Sequence, residues 1–79
     1  MEAKMANYET RAFGYRLQLA LYQAHIKPAD LSRKTGISES LISCYCKGLY
    51  MPKTKRMLLI AEALGVSVGW LAFGEGSIK

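Results

Sequence analysis

Apolar residues in the first third of the chain recur at the three- and four-residue spacing of an amphipathic helix. Thr10 is of a type that caps helix N-termini, and the periodicity continues to about residue 23 or 25. We therefore predict a first helix here, with one face turned toward a core. The apolar residues on that face are Phe13, Leu17, Ala20, Leu21 and Ala24.

Two short helices follow, joined by a tight connection. Pro28 suits the first position of a helix over about 28–34, and Gly36 suits the left-handed residue that ends it. Ser38 is the predicted N-cap of a third helix over about 39–47. Three-residue turns with Gly generate a crossing near a right angle, so the outer face of the third helix is expected to protrude. The residues expected on the inner side of this pair are Leu31, Ser32, Thr35, Ile37, Leu41, Ile42 and Tyr45.

The remaining pattern predicts two more helices. A fourth helix over 53–64 ends at Gly65, and Ser67 caps a fifth helix that runs to Phe73. The residues predicted to point inward from the fourth helix are Met57, Leu58, Ile60, Ala61 and Leu64.

The predicted architecture is all-α. No stretch alternates with the period of two that is typical of a strand, so the five helices must bury their faces against one another. We expect a folded domain over 10–74, a flexible N-terminal arm over 1–9 and a flexible C-terminal tail over 75–79.

Composition narrows the classes of function. The chain has 79 residues, 51% of them hydrophobic, which indicates one folded domain. Eleven Lys and Arg against six Asp and Glu give a net charge of +5, which favours an anionic partner such as nucleic acid or an acidic membrane. A domain this small has little room for a substrate pocket beside its core. His25 is the only imidazole, so we do not expect an enzyme.

The cysteines do not indicate a metal site or a disulfide. Cys44, Cys46 and His25 are too few and too scattered for zinc, and no other cofactor is predicted. Positions two residues apart on a helix point to different sides, so we expect reduced thiols in a cytoplasm. The longest apolar stretches are far shorter than the roughly 18 residues of a membrane-spanning helix, and the first residues lack the apolar core of a signal peptide.

A longer pattern runs from the second helix to the end of the fifth. It reads Leu31-Ser32-x-x-x-Gly36-Ile37-Ser38-x-x-x-Ile42-Ser43-x-x-x-Lys47-Gly48-x-x-x-Pro52, then Leu58-x-Ile60-Ala61-x-Ala63-Leu64-Gly65-Val66-Ser67, and closes with Trp70-Leu71-Ala72-Phe73-Gly74. In this order and with these gaps, the residues resemble the lambda-repressor-like (Cro/C1-type) helix-turn-helix family of phage repressors and bacterial regulators. The resemblance covers about 13–74.

The resemblance implies a five-helix DNA-binding domain whose second and third helices form the helix-turn-helix. It implies a phage- or prophage-type repressor or Cro-like protein in a bacterial or phage-infected cell, binding a palindromic operator on double-stranded DNA as a homodimer. The residues then expected at base edges are Glu39, Ser40, Ser43 and Cys44. Those expected at phosphates are Lys27, Lys34, Ser38, Lys47, Tyr50, Lys53, Thr54 and Lys55.

The charge pattern supports phosphate contact independently of the resemblance. Lys47, Lys53, Lys55 and Arg56 lie within ten residues, directly after the predicted recognition helix. Each phosphate that such a side chain neutralises releases counterions and adds salt-sensitive affinity. Glu39 has two interpretations: it accepts from a cytosine amino group, or it only stabilises the helix through the dipole.

Two family positions differ in this chain. Many members hold a phosphate with Gln at the position of Pro28, which has no donor, and this is why Lys27 or Lys34 is expected to make the contact. Many also pair Arg with Glu at the positions of Leu21 and Cys46, where an apolar contact avoids the cost of a buried ion pair.

Some apolar residues have no predicted place in a monomer core. Leu59, Trp70 and Phe73 are expected at a dimer interface: Leu59 as leftover apolar surface, and Trp70 and Phe73 because the family often pairs through its C-terminal helix. The alternative for Trp70 is packing on its own core. Tyr15, Leu19 and Tyr22 lie off the core stripe of the first helix. We expect them to contact a protein partner or the N-terminal arm.

Other functions fit the same scaffold. One is an antitoxin or a restriction-modification controller that regulates its own promoter. Another is a protein-interaction module in which DNA binding is incidental.

Overall fold

The computed structural model describes residues 7–79 and contains five helices joined by short loops in that range. They are α1 (Tyr8–Ala24), α2 (Pro28–Thr35), α3 (Glu39–Cys46), α4 (Thr54–Leu64) and α5 (Val68–Phe73). No strand is present in residues 7–79, and the all-α prediction is confirmed. None of these helices has the length and apolar character needed to cross a bilayer.

The N-terminus of α1 differs from the prediction. Thr10 is not the N-cap; Asn7 is, and Thr10 is the third helical residue. The Asn7 side chain accepts a hydrogen bond from the Thr10 amide at 2.9 Å, and the Thr10 hydroxyl accepts one from the Asn7 amide at 2.9 Å. This reciprocal capping box starts the helix one turn earlier than expected. Tyr8 and Glu9, which were assigned to the arm, are therefore helical, and residues 1–6 of the arm lie outside the described residues.

One continuous core joins all five helices. Its largest fully buried side chains are Phe13, Leu17, Leu31, Ile42, Ile60 and Leu71. The rings of Phe13 and Tyr45 meet edge to face, with their centroids 6.3 Å apart. The predicted inner face of α1 is confirmed, with Ala24 half-buried at its end.

Leu58 is a wrong core prediction. It is 51% exposed, whereas Met57 and Ala61 are buried. Met57 and Ala61 are four residues apart and share the inward face of α4. Leu58 is one position further along the helix and is turned by about 100° toward solvent.

α1 also holds the end of α5 in place. The Arg16 guanidinium donates to the backbone carbonyls of Leu71 at 2.9 Å and Ala72 at 3.0 Å. These carbonyls lie at the C-terminus of α5, where the helix itself supplies no donors. Beyond α5, the chain turns back and the Ser67 amide donates to the Ile78 carbonyl at 2.8 Å.

Candidate nucleic-acid interface

The turn between α2 and α3 is three residues long and internally hydrogen-bonded. Gly36 ends α2 in the left-handed conformation at φ 80°, which costs glycine little, and its amide donates to the Ser32 carbonyl at 2.8 Å. The Thr35 hydroxyl donates to the Leu31 carbonyl at 2.8 Å and accepts from the Ile37 amide at 3.2 Å. Ile37 is 5% exposed and fills the corner between the helices. The three-residue turn with a left-handed Gly36 is thus present as predicted.

The third helix presents one face to the core and one to solvent. Ser38 caps it as predicted, because its hydroxyl accepts from the Leu41 amide at 3.1 Å. Ile42 is fully buried and Tyr45 is 2% exposed, so these two residues anchor the inner face; Leu41 is half-buried. The opposite face is accessible to solvent.

The C-terminal end of α3 rests directly on α1, an arrangement that sequence reasoning missed. A Cβ added to Gly14 would lie 2.8 Å from the Cys46 carbonyl oxygen and 3.1 Å from the Gly48 amide nitrogen. The Gln18 side chain donates to the same Cys46 carbonyl at 2.7 Å. Glycine at position 14 therefore allows the two backbones to touch, and Gln18 joins them. A helical glycine in the sequence carries no signal of what lies opposite.

At Leu21 and Cys46 an apolar contact was expected in place of an ion pair. Leu21 is 6% exposed, and Cys46 is half-buried and packed against the core. Burial raises the pKa of the Cys46 thiol above its ordinary value. The thiol therefore stays neutral at physiological pH, and both Cys44 and Cys46 are free.

The residues expected to contact DNA are placed on accessible parts of the surface. Glu39 and Ser40, in the first turn of α3, are exposed, and Ser43 and Cys44, in the second half, are half-buried. The candidate phosphate contacts are all exposed: Lys27, Lys34, Ser38, Lys47, Tyr50, Lys53, Thr54 and Lys55.

An open cleft of about 410 Å³ beside α3 gathers part of this set. Tyr50, Lys53 and Lys55 line it together with Arg56, against an apolar floor that includes Leu41. No acidic residue occurs in the sequence between Glu39 and Glu62. The loop after α3 and the start of α4 thus form a positively charged wall along the third helix.

Lys47 lies in a different place from the lysines of that wall. It lines a shallow cleft of about 230 Å³ with Arg11, Tyr15, Gln18 and Cys46. Arg11 is exposed and was not among the predicted contacts. It adds a second positive charge beside the C-terminal end of α3, and only the contact between α1 and α3 could have revealed it.

The two lysines of α2 lie at opposite ends of that helix. Lys27 is the N-cap residue and Lys34 is in the last turn. Asp30 forms an ion pair with Arg33 on the exposed surface and accepts a long hydrogen bond, at 3.4 Å, from the Lys27 amide. The acidic charge in the first turn of α2 is therefore partly offset.

The residues expected at protein contacts differ in exposure. Phe73 is 72% exposed and Leu59 is 39% exposed. Trp70 is half-buried and packs against the core of its own chain, which is the alternative that was considered for this residue. The three residues of the first helix, by contrast, project into solvent: Tyr15 is 74% exposed, Leu19 45% and Tyr22 79%.

No metal centre is formed in the described part of the chain. Within it, no three His, Cys, Asp or Glu side chains group closely enough to hold an ion.

Comparisons with known proteins agree on one family. The sequence model of the helix-turn-helix family matches residues 17–71. An uncharacterised HTH-type transcriptional regulator of Haemophilus influenzae is 42% identical over 48 residues, 61% of this chain and 20% of its own length. No solved structure was found to match the chain.

Two further relatives have more specific names. The HTH-type transcriptional regulator for conjugative element R391 of Providencia rettgeri is 38% identical over 63 residues, 80% of this chain and 29% of its own length. The HTH-type transcriptional regulator PrtR of Pseudomonas aeruginosa is 35% identical over 66 residues, 84% of this chain and 25% of its own length. The chain thus spans less than a third of the length of these relatives.

Proposed function

The chain belongs to the Cro/C1-type helix-turn-helix family of DNA-binding transcriptional regulators, and from this we propose that it is a sequence-specific repressor of the phage or mobile-element type. It binds an operator in double-stranded DNA in the cytoplasm and blocks transcription by occupying the promoter. No chemical step is required for this activity.

The observation that carries the proposal is the exposed face of α3 beside a positively charged wall. Glu39 and Ser40 are exposed in the first turn, the part of a recognition helix that contacts base edges in the major groove. Lys53 and Lys55 line the cleft next to Leu41 of the same helix. Phosphate contacts from this wall would fix the register of α3 on the duplex, and the side chains of α3 would read the bases.

The proposed base contacts are small. Ser40 and Ser43 both donate and accept, so their hydroxyls discriminate weakly between bases. Cys44 offers a thymine methyl an apolar contact. Sequence-dependent groove shape is therefore expected to supply part of the specificity.

We propose that two copies bind a palindromic operator with half-sites about one helical turn apart. The support is the exposed apolar surface that a monomer leaves uncovered, which includes Phe73 at 72% exposure. The names of two relatives, regulators of a conjugative element and PrtR, are compatible with a repressor.

Selection of bound duplexes from a random pool, followed by a salt titration, tests this function. We expect a palindromic sequence and an affinity that falls steeply as salt rises. Binding that ignores sequence and vanishes at physiological salt would contradict the proposal. That result would favour the protein-interaction module instead.

A further inference from the structure

Helix α1 has a second apolar face that the core does not use. Phe13, Leu17 and Leu21 are buried on the inner side. The outer side carries residues at alternating spacings of four and three, which we call the α1 seam. They are Tyr8 (80% exposed), Ala12 (half-buried), Tyr15 (74%), Leu19 (45%) and Tyr22 (79%).

The spacing of the α1 seam is that of the contact positions of a coiled coil. At 100° per residue, these five positions centre on the side of the helix opposite Leu17. Apart from the buried Thr10, the polar residues lie in two flanking strips, and α1 contains no lysine. A helix that is apolar on two opposite sides is expected to be covered on both.

We infer that the α1 seam pairs in antiparallel orientation with the α1 seam of a second copy of this chain. The inference deepens the proposed dimer, because it names the surface through which two copies associate. It does not rest on DNA binding by α3, and association can be measured without DNA.

The occupant is a second copy because the seam is complementary to itself in one register. With the two-fold axis at the level of Leu17, Ala12 of each copy lies opposite Tyr22 of the other, and Tyr15 lies opposite Leu19. Each layer then combines a smaller side chain with a larger one, as knobs-into-holes packing requires. No two like charges meet in these layers.

The flanking strips meet like with like in this register, because a two-fold axis brings the same flank of each helix together. Glu9 of one copy lies nearest Gln23 of the other, and Arg11 lies nearest His25. Arg16 approaches Arg16 of the other copy near the axis, but each guanidinium is already bound to the carbonyls of α5 in its own copy.

Phe73 extends the same surface. A cleft of about 310 Å³, lined by Tyr8, Ala12 and Phe73 among others, connects the seam to the end of α5. A two-fold axis brings the same flank of each α1 together, so Phe73 of one copy faces the Tyr22 end of the other. An open groove of about 670 Å³ lies there, lined by Tyr22, Gln23 and Val66 among others. The exposed Phe73 ring thus has a groove to enter.

The exposed area suits a reversible dimer. Three tyrosines that are about three-quarters exposed, together with Leu19, offer on the order of 500 Å² per copy. Two copies then bury about 1,000 Å² in total before Phe73 is added, near the lower limit of specific interfaces.

Sedimentation equilibrium of the full chain without DNA tests the surface. Leu19→Glu and Tyr22→Glu should each lower the association constant at least tenfold. Leu58→Glu is the matched control, since Leu58 is a leucine of similar exposure, 51%, on another helix, and it should change association less than twofold. Circular dichroism checks that each variant folds, and Tyr22→Glu keeps the test valid if Leu19→Glu does not fold.

Leu59→Glu separates this surface from pairing through the exposed face of α4 that carries Leu59. The seam predicts that Leu59→Glu associates like the unmodified protein. Loss of association in Leu59→Glu but not in Leu19→Glu would overturn the inference, as would a protein that stays monomeric at millimolar concentration.

Disulfide trapping tests the orientation, in a background of Cys44→Ser and Cys46→Ser. A mixture of Ala12→Cys and Tyr22→Cys chains should cross-link rapidly, because the antiparallel register places these positions in one layer. Either variant alone should cross-link at least tenfold more slowly, since its own position in the other copy lies about 15 Å further along the axis. Efficient trapping of Ala12→Cys alone would indicate parallel helices and contradict the inference.

Discussion

The outer faces of α3 and α1 are both open to solvent, but their chemistry differs. On α3 the exposed first turn consists of Glu39 and Ser40, and lysines line the neighbouring cleft. On the outer face of α1 the exposed residues are tyrosines and a leucine, and the helix itself contains no lysine. Small polar groups beside a run of positive charge suit a duplex, whereas a row of aromatic and aliphatic side chains suits another protein surface.

α1 also supports the recognition helix α3. α1 turns its aromatic side outward and supports the end of α3 on a third side, through Gly14 and Gln18. The orientation of the recognition helix therefore depends on a contact that neither exposed face reveals. Substitutions in α1, in α3 and in the positively charged wall test these separate roles.

Gly14→Ala should have the largest effect. Alanine normally stabilises a helix interior relative to glycine by about 0.5–1 kcal/mol, but here the new Cβ would lie 2.8 Å from the backbone oxygen of Cys46. Because backbone cannot move aside easily, we expect a net loss of about 1–3 kcal/mol in the free energy of unfolding, measured by urea denaturation.

Gly69→Ala is the matched control. Gly69 is also helical, and its added Cβ meets only the Ser67 hydroxyl at 3.9 Å. This variant should be unchanged or more stable by up to about 1 kcal/mol. Equal stability of Gly14→Ala and Gly69→Ala would mean that α1 does not clamp α3.

Removing two charges from the wall should weaken DNA binding at every site. The combined Lys53→Ala and Lys55→Ala variant should lose on the order of tenfold in affinity, and its slope of log K against log salt should fall by about two. Lys79→Ala is the control, because Lys79 lines the groove near Tyr22 instead. Fluorescence anisotropy over a range of salt concentrations measures both quantities, and a changed sequence preference in the double variant would contradict a phosphate role.

Ser40→Ala and Cys44→Ala should change which bases are preferred. Loss of a base-edge contact is expected to cost about 1 kcal/mol at one operator position and little elsewhere. Selection of duplexes with each variant measures this, and an unchanged preferred sequence with both would argue against base contact by α3.

Glu39→Gln separates the two interpretations of Glu39. An altered base preference indicates a cytosine contact, whereas a loss of about 0.3–1 kcal/mol in stability alone indicates a dipole effect.

Substitution of Cys46 should have the smallest effect, a change in folding stability that is seen only at alkaline pH. Its pKa is raised in the folded state by burial, so the unfolded chain loses this proton first as pH rises. The thiol therefore contributes stability below the ordinary cysteine pKa, and that contribution is lost as pH climbs toward the raised folded value. Urea midpoints between about pH 7 and 10 should fall less steeply in Cys46→Ser than in the unmodified protein. An identical slope would mean that the junction with α1 does not bury this thiol.

Local signals in the sequence were sufficient to predict the helices and the turn. Gly36 ends α2, and Ser38 and Ser67 cap α3 and α5, as predicted. The start of α1 was misplaced by one turn because Asn7 and Thr10 are both capping residues and each caps the other's amide. α4 begins at Thr54, one residue later than predicted, with Lys53 as its N-cap. Leu58 was placed inside because adjacent apolar residues on a helix do not say which of them faces the core.

Contacts between elements that are distant in the chain could not be predicted from the sequence. Arg11 reaches the end of α3 only because Gly14 lets α1 approach it, and Lys47 is separated from Lys53 by the path of the loop that follows Gly48. The second apolar side of α1 was visible as Tyr15, Leu19 and Tyr22, but its extension to Tyr8 required the corrected helix start.

The most direct test of the central claim is amide chemical-shift mapping by NMR with a selected operator duplex. We predict that the largest perturbations fall on residues 38–44 and 50–56, with the amides of Leu19 and Tyr22 unchanged at a fixed oligomeric state. Perturbations concentrated on the outer face of α1, with residues 39–44 unaffected, would contradict the assignment of α3 as the DNA-reading helix.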